Sequence, residues 1–320
     1  MKLGGRFVLA FMALTVLCAQ TPPVFRTGIS LAHVDAEVVG QNGRVLTGLV
    51  QSDFRVFDEG QEQSLVAFAA EEQPLDLILL FDVSGSMRSS IRTIAAAAEQ
   101  ASRELRPGDF VSVMTFTTHT RIVSNFTDDR EAVRGTLARL GHAHPWGGTC
   151  IQESVGQAAM HFLRYDHRKQ YRRAILVVTD NIGRPAHSET EVIESLWEAD
   201  SLLSGLIVHH GLLLNPSPSV LLIQALHLLP TTGGVTRIAE QTGGEVLPAE
   251  DLAHSFPEMI HRIRTRYSVY YRLPEDAPAK LRSVRVLLSE DAQQRFPGAR
   301  VLARQAYRTL ARDGNGFAVR

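Results

Sequence analysis

The chain has 320 residues, of which 44% are hydrophobic and 21% charged, with 33 Lys and Arg set against 34 Asp and Glu. At about 100 to 200 residues per domain this is roughly two domains with ample chain for a large core, which excludes a miniature disulfide scaffold and a disordered chain. A formal net charge of -1 supplies no basic field for a polyanion, so nucleic acid is not an expected partner and binding is expected to be local.

Residues 1–21 read as an export signal. Lys2 and Arg6 precede the apolar run Phe7 to Cys18, and polarity returns at Gln20, Thr21 and Pro22, the order of charged, apolar and cleavable regions in such segments. The run falls short of the roughly 20 residues that span a bilayer, so no integral span is expected after cleavage and the chain is expected to be exported: periplasmic, secreted or associated with the outer surface. Whether the segment is cleaved, lipidated at Cys18 or kept as an anchor stays open. Leu17 stands before Cys18 where lipid attachment favours a small residue. Beyond this segment Cys150 is the one remaining cysteine, so neither an intrachain disulfide nor a Cys-based zinc cage is available.

Residues 25–72 read as a β module. Ile29, Leu31, Val34, Ala36 and Val38 mark a strand that leads into Gln41-Asn42-Gly43, an Asn-Gly pair suited to a tight hairpin. Phe54 and Val56 begin a second alternation, followed by the turn Asp58-Glu59-Gly60 and then Leu65 and Phe68. Near Gln73-Pro74 the texture changes to the continuous apolar run Leu75 to Phe81, as in a strand covered on both faces of a parallel sheet.

From there strands and helices alternate. Ile91, Ile94, Ala95, Ala98 and Leu105 share a helical face, Phe110 to Phe116 is a strand and Thr120 to Ser124 an edge strand. Asp128 with Glu131 resembles a capping pair ahead of the stripe Val133, Leu137, Leu140. Ile151, Val155, Ala158 and Phe162 form another stripe, and Ala174 to Val178 a buried strand. Val192, Leu196, Ala199 and Leu203 predict a further helix, with the next buried strand beginning at Leu206. Residues 213–232, with Asn215-Pro216-Ser217-Pro218 and Leu221 to Leu229, read as an insertion with one short helix. A helix ending at Thr242-Gly243-Gly244 follows, then a last helix through Leu252, Phe256, Ile260 and Ile263. Tyr267, Val269, Tyr271 and Leu273 return to the strand period, as do Val284, Val286, Leu288, Val301 and Ala303. The succession predicts a doubly wound α/β sheet over 73–266, a C-terminal β segment over 267–307 and a polar tail over 308–320.

Chemistry concentrates at Asp82-Val83-Ser84-Gly85-Ser86, at the carboxyl end of the first buried strand, the edge where open α/β sheets bind ligands. One carboxylate and two hydroxyls at alternating positions are oxygen-only donors, which suit a hard cation such as Mg2+, with Mn2+ or Ca2+ as alternatives. In isolation the same residues make an ordinary strand-to-helix turn with serine caps. Two distant features tip the balance: Gly147-Gly148-Thr149 opens one helix, and Thr179-Asp180-Asn181 ends another buried strand, so Thr149 and Asp180 can reach the same sheet edge.

The set Asp82, Ser84, Ser86, Thr149 and Asp180 resembles the metal-ion-dependent adhesion site of the von Willebrand factor type A domain family, over roughly residues 74 to 266. The resemblance implies a Rossmann-like fold in which Ser84 and Ser86 ligate a divalent cation directly and Thr149 does so directly or through water. Asp82 and Asp180 would hold coordinated waters, and an Asp or Glu of a protein partner would complete the shell. Asn181 stands where the family usually has glycine; asparagine tolerates the left-handed backbone better than most residues. The whole layout is similar to exported bacterial proteins called von Willebrand factor A-related, common in acidobacteria, and makes the flanking β segments candidates for pairing into one β-sandwich.

The expected function is therefore an exported adhesion-type module rather than an enzyme. A scaffold subunit of an envelope assembly is the alternative, and a Mg-dependent hydrolase a lesser one: position 84 is Ser rather than a second Asp, and Asp82 to Ser86 is not a Gly-x-Ser-x-Gly elbow. His144 and Trp146, with Asn181, are expected to form a partner-binding rim, and His142 to lie with them at the surface rather than to ligate a metal. Cys150 is expected to face the core and His209-His210 to pack. The series Arg262, Arg264, Arg266 reads as a solvated helix face.

Overall fold

The computed structural model describes residues 31–70, 72–165, 171–183, 188–208, 231–232, 234–273 and 280–309. The export signal, His209-His210, all but the last two residues of the 213–232 insertion and the tail from 310 onward lie outside the described residues. In chain order the elements are β1 (Leu31–Val39), β2 (Phe54–Asp58), β3 (Gln61–Gln63), β4 (Leu65–Ala69), β5 (Leu75–Asp82), α1 (Ile91–Ala101), β6 (Phe110–Phe116), β7 (Thr120–Thr127), α2 (Arg130–Leu140), α3 (Ile151–Arg164) and β8 (Arg172–Thr179). There follow β9 (Ile182–Gly183), α4 (Glu189–Glu198), β10 (Ser201–Ile207), β11 (Thr231–Thr232), α5 (Val235–Thr242), β12 (Val246–Pro248), α6 (Leu252–Arg264), β13 (Tyr267–Arg272), β14 (Leu281–Leu288), α7 (Glu290–Arg295), β15 (Arg300–Ala303) and β16 (Ala306–Arg308).

Six strands form one sheet in the order β12-β10-β8-β5-β6-β7, parallel except for the antiparallel edge strand β7. β5 is buried along its whole length because both faces are covered. Leu75, Leu77, Leu79 and Phe81 pack with α1, α2 and α6 on one side, while Ile78 and Leu80 pack with α3, α4 and α5 on the other. This is the doubly wound α/β arrangement, and its continuous apolar strands follow from the double burial.

The flanking segments build two four-stranded sheets, β15-β1-β13-β4 and β16-β14-β2-β3. Val34, Ala36 and Val38 of β1, Val56 of β2, Val269 of β13 and Val286 of β14 meet in one shared cluster, so the two sheets face each other across a common core. β4 pairs antiparallel with β13, Ser268 opposite Ala69. The α/β unit therefore leaves and re-enters the β part through two adjacent strands.

Local deviations from the sequence expectations have local causes. The Glu59-Gly60 turn has positive φ at both residues, 50° and 79°, and joins β2 to β3. The Asn42-Gly43 turn forms, but closes only a single bridge between Val39 and Val45, because the chain then departs to the second sheet. The α2 cap is Asp129, whose carboxylate accepts from the Glu131 and Ala132 amides, and not Asp128. Leu203 lies in β10 rather than in a helix: α4 ends at Glu198, and the chain turns at Asp200, where φ is 53° without a glycine to announce it. α7, capped by Ser289 Oγ accepting from the Ala292 amide, follows the helix expected to be last.

The clearest correction concerns Arg262, Arg264 and Arg266, which are 7%, 3% and 3% exposed and form no solvated face. Arg264 is forked onto Asp109, Nη1 to Oδ1 at 3.0 Å and Nη2 to Oδ2 at 2.6 Å. Arg266 donates to Glu37 Oε2 at 3.0 Å and to the Gly243 carbonyl; Arg262 donates to Glu245 and Glu258. Arg172 of β8 adds a second fork, onto Asp35 of β1 at 2.8 and 3.0 Å. These groups lie where β1, β8 and the end of α6 meet, and the β sheets cover them. Gly243-Gly244 lies at the same junction: Gly243 has φ of +86°, and a Cβ on Gly244 would fall 1.9 Å from the Leu203 carbonyl oxygen, so no larger residue fits there.

Candidate functional site

The chain runs from β5 outward to β6 on one side and then crosses to β8 on the other. The connections after β5 and β8 consequently depart towards opposite faces, and a crevice opens between them at the carboxyl edge of the sheet. Asp82 closes β5, and Asp180 follows the last residue of β8.

Asp82 is 1% exposed and organises the first loop. Its Oδ1 accepts from the Ser84 amide at 2.9 Å and its Oδ2 from Thr179 Oγ1 at 2.7 Å. One carboxylate thereby ties together the ends of β5 and β8. The Ser84 and Ser86 hydroxyl oxygens lie 3.2 Å apart, Ser84 buried and Ser86 exposed at the mouth. Thr179 was not singled out from the sequence; a β-branched residue ending a buried strand reads as sheet, and its hydroxyl role shows only once β5 is its neighbour.

The loop before α3 is clipped to this turn by backbone. The Gly85 amide donates to the Gly147 carbonyl at 3.1 Å and the Trp146 amide to the Val83 carbonyl at 3.3 Å, while Gly147 takes a φ of +81° to make the bend. Thr149, 8% exposed, arrives from that loop. On its other side Gly183 lies so close that a Cβ there would be 3.1 Å from the Thr149 carbonyl oxygen. Asp180, 7% exposed, accepts from the Ile182 amide at 3.0 Å. All three loops thus converge, with Asp82, Ser84 and Ser86 in one hydrogen-bonded turn and Thr149 and Asp180 on the two loops packed beside it.

Around the mouth, Trp146 is 75% exposed and His142 and His144 are exposed. Asn181 is half-buried with φ of +58°, the left-handed conformation; its Oδ1 accepts from the Val235 amide at 3.4 Å and so fixes the start of α5. Cys150, half-buried, is the residue just before α3.

The electrostatics of the crevice are those of an acid held without a base. Burial first, then the charge of Asp180, push the Asp82 carboxyl up to about 6 against the pull of the Ser84 and Thr179 donors. Among the described residues no three His, Cys, Asp or Glu side chains gather into a ligand cage, so a cation here would draw on hydroxyls. The donor set fits one: two hydroxyls at chelating separation, a third on the next loop, and buried acids whose like charges a divalent ion would offset.

Among the described residues no helix is long and apolar enough to cross a membrane. No curated protein sequence matches the chain. Among solved structures the chain resembles a von Willebrand factor type A protein from Catenulispora acidiphila (14% identity, TM-score 0.46, covering 89% of this chain and 74% of that one). It also resembles an aerotolerance-related membrane protein from Bacteroides fragilis (14% identity, TM-score 0.45, 59% and 98%). A third likeness is to the protein BatB from Bacteroides thetaiotaomicron (16% identity, TM-score 0.44, 59% and 98%). Residues 77–183, the stretch from β5 to the loop after β8 that carries Asp82, Ser84, Ser86, Thr149 and Asp180, match the family model of the von Willebrand factor type A domain.

Proposed function

We propose that the chain is an exported, cation-dependent protein-binding module that captures an Asp or Glu of its partner at the carboxyl edge of the six-stranded sheet. The observation that carries this is the convergence of Asp82, Ser84 and Ser86 in one turn with the loops bearing Thr149 and Asp180. Ser84, Ser86 and Thr149 would hold the ion, Mg2+ first, and Asp82 and Asp180 would orient its waters. The bound ion would supply a positive point charge for a carboxylate. Because the hydroxyl donors are neutral, little of the ion's charge would be cancelled from within. The chain's own part is to position: Thr179 and the Ser84 amide fix both Asp82 oxygens, and burial keeps bulk water from competing for them.

The test is isothermal titration of Mg2+ and Mn2+ into the chelator-stripped full chain, with capture of envelope proteins in Mg2+ and in chelator compared by mass spectrometry. Uptake of one ion per chain, lost in Ser84→Ala, and capture released by chelator are expected. Capture that is equal in chelator, with no ion uptake, removes the reading and leaves a scaffold role.

A further inference from the structure

One side of the crevice mouth carries basic side chains and no acids. On the β6 side lie residues 85–90, 117–121 and 141–149, which contain no Asp or Glu but carry Arg88, Arg121, His119, His142 and His144. On the β8 side the sequence mixes signs: Arg184 and His187 stand between Asp180 and Glu189, Glu191 and Glu194 of α4, and Arg237 pairs with Glu189 at 3.4 Å. The three basic stretches form one surface. Arg88 Nε and Nη2 donate to the Pro145 carbonyl at 3.3 and 3.1 Å, which lashes the first loop to the Trp146 loop. Thr118 Cγ2 lies against Gly148, and the Cys150 amide donates to the Thr117 carbonyl at 3.0 Å, which joins the β6–β7 turn to the same loop.

No carboxylate among the described residues neutralises the two arginines. Arg88 and Arg121 are exposed, and among the described residues neither is paired with a carboxylate. Arg88 is held in place by a neutral carbonyl, so its remaining donors face solvent in a fixed position. Trp146, at 75%, is the most exposed of the large hydrophobic side chains among the described residues. An indole beside unpaired guanidinium groups is the composition of an interface centre rather than of an ordinary surface.

We infer that the partner presents not one isolated acid but an acidic extended segment. One carboxylate would enter the crevice, the neighbouring acids would lie over Arg88 and Arg121 on the β6 side, and Trp146 would cover the backbone between them. This rests on the cation reading for the first carboxylate and goes beyond it for the rest.

The experiment uses the full chain and end-blocked fluorescent peptides, hexaglutamate against a glycine hexapeptide bearing a single Glu, read by anisotropy in Mg2+ and in chelator. At low salt hexaglutamate is expected to bind about ten-fold tighter, a preference that shrinks to within about three-fold near 0.5 M salt as the screening length contracts. In the double variant Arg88→Gln, Arg121→Gln the preference falls below about two-fold, and in Arg121→Gln alone, which leaves the Arg88 clip to Pro145 intact, Mg2+ uptake by calorimetry and the melting temperature stay at wild-type values while the preference is also reduced. Trp146→Ala is expected to weaken both peptides. Equal binding of the two peptides, no binding of hexaglutamate, or a preference that survives the double variant overturns the inference. A hexaglutamate preference that persists in chelator yet disappears in the double variant keeps the basic rim and removes the cation reading instead.

Discussion

Two of the places where the described residues bury carboxylates treat them in opposite ways. At the junction of the β sheets with the α/β unit, Asp35 receives the Arg172 fork and the Ser268 hydroxyl. Asp109 there receives the Arg264 fork and the Leu75 and Arg106 amides. Burial alone would raise the Asp35 carboxyl, but Arg172 and His33 outweigh it and hold the group well below the usual carboxylate range. At the carboxyl edge, Asp82 is equally hidden but is offered only neutral donors and the charge of Asp180, and its carboxyl moves up, to about 6. Asp35 and Asp109 are each matched by an arginine fork, although burial still pushes Glu37 of the same junction up to about 8, whereas no arginine or lysine among the described residues is hydrogen-bonded to Asp82. Burial of an acid is thus no sign of function by itself.

Removing a base from the junction should give the largest effect. Arg264→Ala leaves Asp109 charged, buried and facing only two amides, so a loss of about 3–5 kcal/mol is expected in urea unfolding. Mg2+ uptake by the molecules that remain folded should be unchanged. A loss below about 1 kcal/mol would mean that the fork is closer to a surface pair than its burial implies.

The opposite sign is expected at the crevice. For an acid whose folded value lies above its unfolded one, ionisation is resisted by the fold, so stability drains away as pH rises from the unfolded value through about 6. In chelator, Asp82→Asn should therefore be more stable than the wild type above that window, by about 1–2 kcal/mol once the mismatch of an amide with the Ser84 and Thr179 donors is subtracted. Below the unfolded value the advantage should vanish. Saturating Mg2+ should reverse the order, since only the wild type gains from binding. Thermal melts across pH, with and without Mg2+, decide it; a variant that is less stable in chelator at alkaline pH erases the contrast between the two regions.

The two regions also differed in how far the sequence disclosed them. The crevice is built from strand ends, and strand ends are local: the run Leu75 to Phe81 followed at once by Asp82, and Val177-Val178 followed by Thr179-Asp180, put the polar groups at one edge as soon as the strands are recognised as parallel. The left-handed turn at Asn181, where φ is 58°, is expected because the resembled family usually has glycine there and asparagine tolerates that conformation. The junction is not local. Arg262, Arg264 and Arg266 bear the marks of a wet helix end, but Arg264 is forked onto Asp109, 155 residues earlier, and Arg262 and Arg266 meet Glu37 of β1, more than 200 residues earlier, brought over by the pairing of β1 with β13. Helical spacing likewise overran from Ala199 to Leu203, because the intervening turn at Asp200 uses neither glycine nor proline.

The smallest stability change should accompany the largest functional one. Ser84 Oγ lies 3.2 Å from Ser86 Oγ and also hydrogen-bonds to the Asp82 side chain, but the turn itself is held by the Ser84 amide, which a substitution leaves in place. Ser84→Ala should therefore cost no more than about 1.5 kcal/mol, and its metal-free melting curve should stay near that of the wild type. If the crevice exists to be completed by an ion, the same change should abolish Mg2+-dependent stabilisation while the Arg264 junction holds the fold together. Should Ser84→Ala instead unfold the chain as Arg264→Ala does, the hydroxyl would belong to the framework, and the division between a closed junction and an open crevice would fail at its most exposed point.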